Sequence, residues 1–247
     1  MMLAIGLNNL PLIKEGDELE KIIAKAIEEK GIKLEDGDII VVTEKIVSKA
    51  EGRVIELSKI KASKKAQELA EKTGKDPRLV ELMLREFKEV IKIGENFIIG
   101  ETKHGFICAN AGIDQSNIEE GKVKLLPENP DKSAERIRKF LEKKFNVRLG
   151  LIISDSFGRP FRKGSVGVAL GASGVIALQD RRGNEDIYGK KLRVTRVAIA
   201  DCLASLAILI TGEGNERIPV VIIKGLDYLG EGKASDLLRE KEKDVFR

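Results

Sequence analysis

Residues 151–173, LIISDSFGRPFRKGSVGVALGAS, constrain the chain more than any other stretch. The opening Leu151-Ile152-Ile153 has the character of a buried strand, and Ser154-Asp155-Ser156 follows at once. A carboxylate just past the end of a buried strand is well placed to hold a metal, because the strand fixes the backbone while the loop end stays open to ligand. Gly158, Arg159, Pro160, Phe161, Arg162, Lys163 and Gly164 come next, three cations within five residues between glycines that let backbone approach a ligand closely. An acid followed by a cationic loop suits a phosphate substrate carried with a metal. A polar turn with surface salt bridges has the same composition, so both readings stand here. Residues 165–178, rich in glycine and small side chains, read as a tightly packed strand pair or a buried turn.

The remaining pattern alternates helix and strand. Residues 2–7, 39–43, 106–109, 149–153 and 219–224 are apolar runs of strand length. Asp17 is expected to cap a helix running to about Lys30, with Leu19, Ile22, Ile23, Ala26 and Ile27 on one face and Gly31 as its stop. Further helices are expected over 61–72, from Asp76-Pro77 onward, from Asn129-Pro130 to about Phe145, over 194–210, and in the charged tail. Residues 90–105 carry short β-like runs punctuated by Gly94, Gly100 and Gly105, as antiparallel hairpins do. That hairpin-rich middle argues against a regular βαβ sheet. The expected class is α+β, in a single module over 1–247 with room for two lobes and no internal boundary marked.

Composition removes several functions. The formal net charge of +4 is diffuse and aromatics make up 4%, which excludes a nucleic-acid platform. Cys108 and Cys202 lie far apart in apolar surroundings and read as buried free thiols; with no CxxC and His104 as the single histidine, a zinc site and a Ser-His-Asp triad are both set aside. The longest apolar stretch, 197–210, is interrupted by Asp201 and too short to cross a bilayer, and no signal peptide is visible, so no membrane partner and a cytoplasmic location are expected.

Asp114, Asp155 and Glu213 each end an apolar element amid Gly, Ser, Thr or Asn. If they converge, with the Ser156 hydroxyl beside them, they form an all-oxygen site for Mg²⁺ or Mn²⁺, and two such ions would clamp the phosphates of a nucleotide. Otherwise each merely caps its neighbour. Leu10-Pro11-Leu12-Ile13 is an apolar loop that either tucks onto the core or walls a ligand, and Lys49, read as lying near a strand end, either meets a phosphate or is solvated. No Walker motif is present: in residues 230–235, GEGKAS, the glycines lie too close together.

The segments LPLIKEGD, VSKAEGR, ANAGIDQSN, ISDSFGRPFRKGSVGVALG and TGEGNERIP, in that order between Leu10 and about Lys224, resemble the coenzyme F-420:L-glutamate ligase family. The resemblance implies a GTP-dependent enzyme of unusual α+β fold, working as a homodimer, that joins L-glutamate through γ-glutamyl amide bonds to the deazaflavin precursor of coenzyme F-420, with two Mg²⁺ or Mn²⁺ ions and K⁺. By position it implies metal ligands at Asp114, Asp155, Ser156 and Glu213. It implies GTP contacts at Leu10, Pro11, Leu12, Ile13, Lys49, Asn117, Thr211, Gly212, Glu213, Gly214, Asn215, Glu216, Arg217 and Ile218, and more loosely at Glu44 and Lys45. Arg159, Arg162 and Lys163 are expected, on their charge alone, to bind the anionic precursor or the transferring phosphoryl group. A metal-dependent phosphohydrolase, a non-catalytic nucleotide-binding module and an amide ligase for a different acid are the rival readings.

Overall fold

The computed structural model describes residues 1–245. In chain order its elements begin with β1 (Leu3–Leu7), α1 (Leu19–Glu29), β2 (Ile39–Thr43), α2 (Glu44–Ala50) and β3 (Val54–Glu56). Next come α3 (Lys64–Thr73), α4 (Pro77–Glu86), β4 (Phe87–Gly94), β5 (Phe97–Thr102), β6 (Ile107–Ala109) and β7 (Lys122–Lys124). The last part holds α5 (Pro130–Phe145), β8 (Gly150–Arg159), β9 (Arg162–Ser173), β10 (Leu178–Asp180), β11 (Arg196–Ala198), α6 (Ile199–Thr211) and β12 (Val220–Lys224).

Ile39, Ile40, Val41 and Val42 are all wholly buried. A strand achieves that only when both of its faces are covered. Strand β2 is the middle of a five-stranded sheet of order β1-β12-β2-β8-β9, in which β2 and β8 run parallel and the other pairs antiparallel. Ile40, Val42, Leu151, Ile153 and Ile222 face α1, α2 and α5, packing with Ile23, Ile27, Val47, Ile137 and Leu141. Ile39, Val41, Ile152, Val221 and Ile223 face α6 and meet Leu203, Ala204 and Ala207.

The small residues of β9 exist because two helices press on that strand from opposite sides. A Cβ on Gly167 would lie 2.3 Å from the Ala204 carbonyl oxygen of α6, and one on Gly171 would lie 2.3 Å from that of Pro130 on α5. Four residues apart, the two glycines would share a face in an unbroken strand. The register shift between Ile153↔Gly171 and Ser154↔Ala169 reverses the faces. It is a bulge of the kind that re-aims side chains beside functional sites.

A second group of elements packs alongside. Helices α3 and α4 cover the antiparallel β4-β5-β6 sheet through Ala66, Leu69, Val80, Met83, Phe87 and Ile98. Leu57, Leu82, Val123 and Leu125 form an adjoining cluster. The mixed α+β class and the hairpins expected from the middle of the chain are present.

Several local expectations need correction. Asp17 does not cap α1: Glu18 is its N-cap, without a side-chain cap bond, and the Asp17 carboxylate instead accepts from the Lys14 N–H at 2.8 Å. Lys49 is not near a strand end but in the last turn of α2. Asp155 does not follow the end of a strand, because β8 continues through it to Arg159 and pairs with β9, turning the expected cationic loop into a hairpin. The helix expected over 194–210 starts at Ile199, after the short strand β11. The tail is not α-helical over its described residues; it has two 3-10 turns, Ala234–Leu237 and Lys241–Lys243, and Phe246 and Arg247 lie outside the described residues. Cys202 is exposed rather than buried, and Cys108 is buried; neither forms a disulfide.

Candidate functional site

Where the parallel pairing of β2 and β8 stops, at Thr43↔Ser154, the carboxyl end of β2 and the middle of β8 open into a cavity of about 610 Å³. This is where open sheets with parallel strands place ligand sites. Strand β8 supplies Ser154, Asp155 and Ser156, while Glu44, Lys45 and Lys49 come from α2, which starts directly after β2. The polar loop before β7 brings Asp114, Ser116 and Asn117. The end of α6 brings Thr211, the segment after it brings Gly212, Glu213, Gly214, Asn215, Arg217 and Ile218, and the loop after β1 closes one wall with Leu10, Pro11, Leu12 and Ile13. Residues as far apart in sequence as Leu10 and Pro219 therefore share one cavity.

Of the residues singled out in the sequence, Glu216 does not line the cavity. Its carboxylate accepts from the Gly214 N–H at 2.8 Å and shapes the loop from behind. Arg159, Arg162 and Lys163 stand at the tip of the β8–β9 hairpin and do not line it either. Lys124 is the residue that sequence reading missed. It is fully buried and donates to Glu44 Oε1 at 2.6 Å and to the Gly112 carbonyl at 3.3 Å. The one signal for it was a lysine set directly before Leu125-Leu126, inside a run that is otherwise apolar on its C-terminal side.

Hydrogen bonds tie the loops together across the mouth. Lys45 Nζ lies 2.8 Å from Asp114 Oδ2 and also donates to Ser116 O and Oγ. Lys49 Nζ donates to the Asn117 carbonyl at 2.9 Å, and Asn117 Nδ2 donates to the Gly214 carbonyl at 2.8 Å. Ser156 Oγ donates to Glu213 Oε2 at 3.0 Å. The loop leading to Asp114 is held in an uncommon backbone state, with Asn110, Ala111 and Gly112 successively at φ of 55°, 57° and 67°. For alanine that conformation is costly and persists only where its surroundings impose it.

The charges differ in their settings. Burial raises the Asp114 carboxyl, but its bonds to Lys45 and Ser116 outweigh that and hold it down at about 2. Burial pushes the Asp155 carboxyl up, while Lys124 and the Ser156 N–H pull it back. Burial pushes Glu44 up to about 7, against the pull of Lys124, with Asp155 adding to the rise. The cost of burying these two carboxylates, more than their mutual repulsion, is thus what Lys124 only partly offsets.

The donor set fits a hard divalent cation. Asp114, Asp155, Glu213 and Ser156 present only oxygen atoms to the cavity. Among the described residues, no group of three or more His, Cys, Asp or Glu side chains is arranged to hold an ion by itself. A divalent ion held by these oxygens would need water and substrate phosphates for its remaining ligands, as Mg²⁺ ordinarily does.

Fold and cavity together define an α+β protein of the cleft-enzyme class, with acids and lysines converging beneath an apolar wall. The chain belongs to the F420-0:Gamma-glutamyl ligase family, whose model matches residues 8–225. It is 56% identical over 246 residues to the coenzyme F420:L-glutamate ligase of Methanocaldococcus jannaschii, covering 98% of this chain and 96% of that protein. It is 50% identical over 246 residues to the protein of the same name from Methanothermobacter thermautotrophicus, covering 98% of each. With that of Archaeoglobus fulgidus it shares 43% over 238 residues, covering 96% of this chain and 93% of the relative. Among the described residues no helix is long and apolar enough to cross a membrane.

Proposed function

We propose that this chain is a GTP-dependent ligase that forms a γ-glutamyl amide bond between L-glutamate and the deazaflavin precursor of coenzyme F-420. The ligase role follows from family membership and from near full-length relatives of that name. The observation that carries the mechanism is the meeting of Asp114, Asp155, Ser156 and Glu213 with Lys49 and the Leu10–Ile13 wall in one cavity.

A free carboxylate is a poor acyl donor. In the proposed reaction one oxygen of the acceptor carboxylate attacks the γ-phosphorus of GTP and GDP leaves, giving an acyl phosphate. The amine of glutamate then attacks the acyl carbon, phosphate departs, and the nitrogen loses a proton to give the amide. When bound, Mg²⁺ or Mn²⁺ would offset the charge that builds on the phosphates, held by Asp114, Asp155, Ser156 and Glu213. Lys49 and Arg217 offer cationic contacts to the triphosphate, and the apolar wall limits water that would hydrolyse the acyl phosphate. The reading includes K⁺ as a second cation. It also includes a homodimer, supported by the exposed Phe161, Ile187, Tyr188 and Val194 on the hairpin and the 180–196 segment.

The test combines purified protein with GTP, Mn²⁺, K⁺, glutamate and the deazaflavin precursor, and weighs the products. The expected product is the precursor enlarged by glutamyl residues. Consumption of GTP with no enlarged precursor would favour the phosphohydrolase reading instead.

A further inference from the structure

Two lysines meet the acids of the cavity, and they are built differently. Lys124 is locked: it is fully inaccessible, donates to Glu44 and Gly112, and its backbone N–H and carbonyl both pair with those of Asp114 at 2.8 and 3.1 Å. Lys45 lies at the open side, with 21% of its side chain exposed. Its ammonium spends all its bonds on one short loop: Asp114 Oδ2 at 2.8 Å, Ser116 O at 2.9 Å and Ser116 Oγ at 2.8 Å.

That loop does not need Lys45 to stay in place. Lys49, one helical turn further along α2, holds the Asn117 carbonyl. Asn117 in turn reaches Gly214, and Lys124 pins the backbone of Asp114. Lys45 is therefore an ammonium parked on a site carboxylate, attached by a flexible stem to a helix that stays put. A divalent ion taking an oxygen of Asp114 would stand within a few ångströms of that ammonium, roughly the 4–6 Å range over which like charges oppose each other strongly.

Resting on the metal reading above, we propose that Lys45 is a tethered counter-cation: it holds Asp114 until a divalent ion arrives and then cedes that carboxylate. Lys45 is thus a positioning residue, acting through Asp114, whose competition sets the divalent affinity of the site.

The test is titration of the full chain with Mn²⁺ alone, following free Mn²⁺ by its paramagnetic resonance signal, for wild type, Lys45→Met, Lys45→Arg, Asp114→Asn and the Lys45→Met/Asp114→Asn double variant. Removing the competitor is expected to tighten Mn²⁺ binding by roughly tenfold in Lys45→Met, the size of one charged hydrogen bond. Lys45→Arg should stay near wild type. In the Asp114→Asn background, Lys45→Met should make no difference. A merely structural pin would give weaker or unchanged Mn²⁺ binding in Lys45→Met while Asp114→Asn still weakens it; that outcome overturns the inference and leaves the metal reading intact. Wild-type Mn²⁺ affinity in Asp114→Asn would overturn both together.

Discussion

Lys124 Nζ lies 2.6 Å from Glu44 Oε1, with the two side chains 1% and 4% exposed. An ion pair so fully withdrawn from water gains little net stability over a well-packed apolar pair, but breaking it from one side is costly. Its position beneath Asp114 and Asp155 gives it a use that an apolar pair would not have: it supplies fixed positive charge to a floor of acids. Lys124→Met is expected to cost about 3 kcal/mol and to lower Tm by roughly 6–12 °C in a thermal melt. An unchanged Tm would show that the buried charge is dispensable to the fold.

The same pair sets a pH dependence. The Glu44 carboxyl is raised by burial from 4.5 to about 7. A carboxyl that is harder to ionise in the folded chain than in the unfolded one favours folding while protonated. Its contribution is complete below pH 4.5 and is lost as pH rises through 7. The Tm advantage of wild type over Glu44→Gln should therefore shrink between those limits in a buffer series. An advantage that grows across that range contradicts the assignment.

Gly167 tests the pressed strand. A methyl group there meets the α6 backbone at Ala204, which cannot move away as a side chain would. Gly167→Ala is expected to cost about 2–3 kcal/mol by overpacking. Gly158→Ala, whose Cβ would meet nothing within 4 Å, should stay within about 0.5 kcal/mol of wild type. Denaturant midpoints of the two variants decide it, and equal midpoints would mean that β9 and α6 are not in backbone contact.

Asn117 links two loops by one side-chain bond to Gly214, 97 residues away. Losing that bond should cost about 1 kcal/mol and raise the GTP KM roughly fivefold with little change in kcat. Because Asn117 sits at φ 54°, alanine would add backbone strain, whereas glycine removes the side chain without it. The KM change should therefore appear in Asn117→Gly as well as Asn117→Ala. A change seen in alanine alone would assign the effect to the backbone.

The hairpin-tip cations stand outside the cavity that receives the nucleotide in the proposed function. Arg162→Ala is expected to leave the GTP KM unchanged and to raise the KM for the anionic deazaflavin acceptor. If neither constant moves, the tip plays no part in substrate binding.

How much of this was legible in the sequence varies by residue. The central strand was readable because Ile39 to Val42 is apolar without a break, and α5 because Asn129-Pro130 marks a start that few other conformations use. Asp114, Asp155 and Glu213 stood out because each acid ends an apolar element locally. Helix α2 was harder: no glycine or proline separates Thr43 from Glu44, so strand passes into helix without punctuation. The β8–β9 hairpin was hidden because pairing such as Asp155↔Val168 is a tertiary fact, while the glycines at 158 and 164 speak locally for a loop. Lys124 was least legible of all. In Lys122-Val123-Lys124 the alternation puts both lysines on a polar face, and only Glu44, 80 residues away, makes burial of the second one tolerable.

The most direct test of the account measures phosphate released from GTP by wild type and Asp155→Asn, with glutamate and the deazaflavin precursor supplied together, singly or not at all. Release by wild type only when both are present, lost by at least a hundredfold in Asp155→Asn, is the result the account predicts. Release without glutamate or without the precursor, or at the same rate in Asp155→Asn, would contradict it.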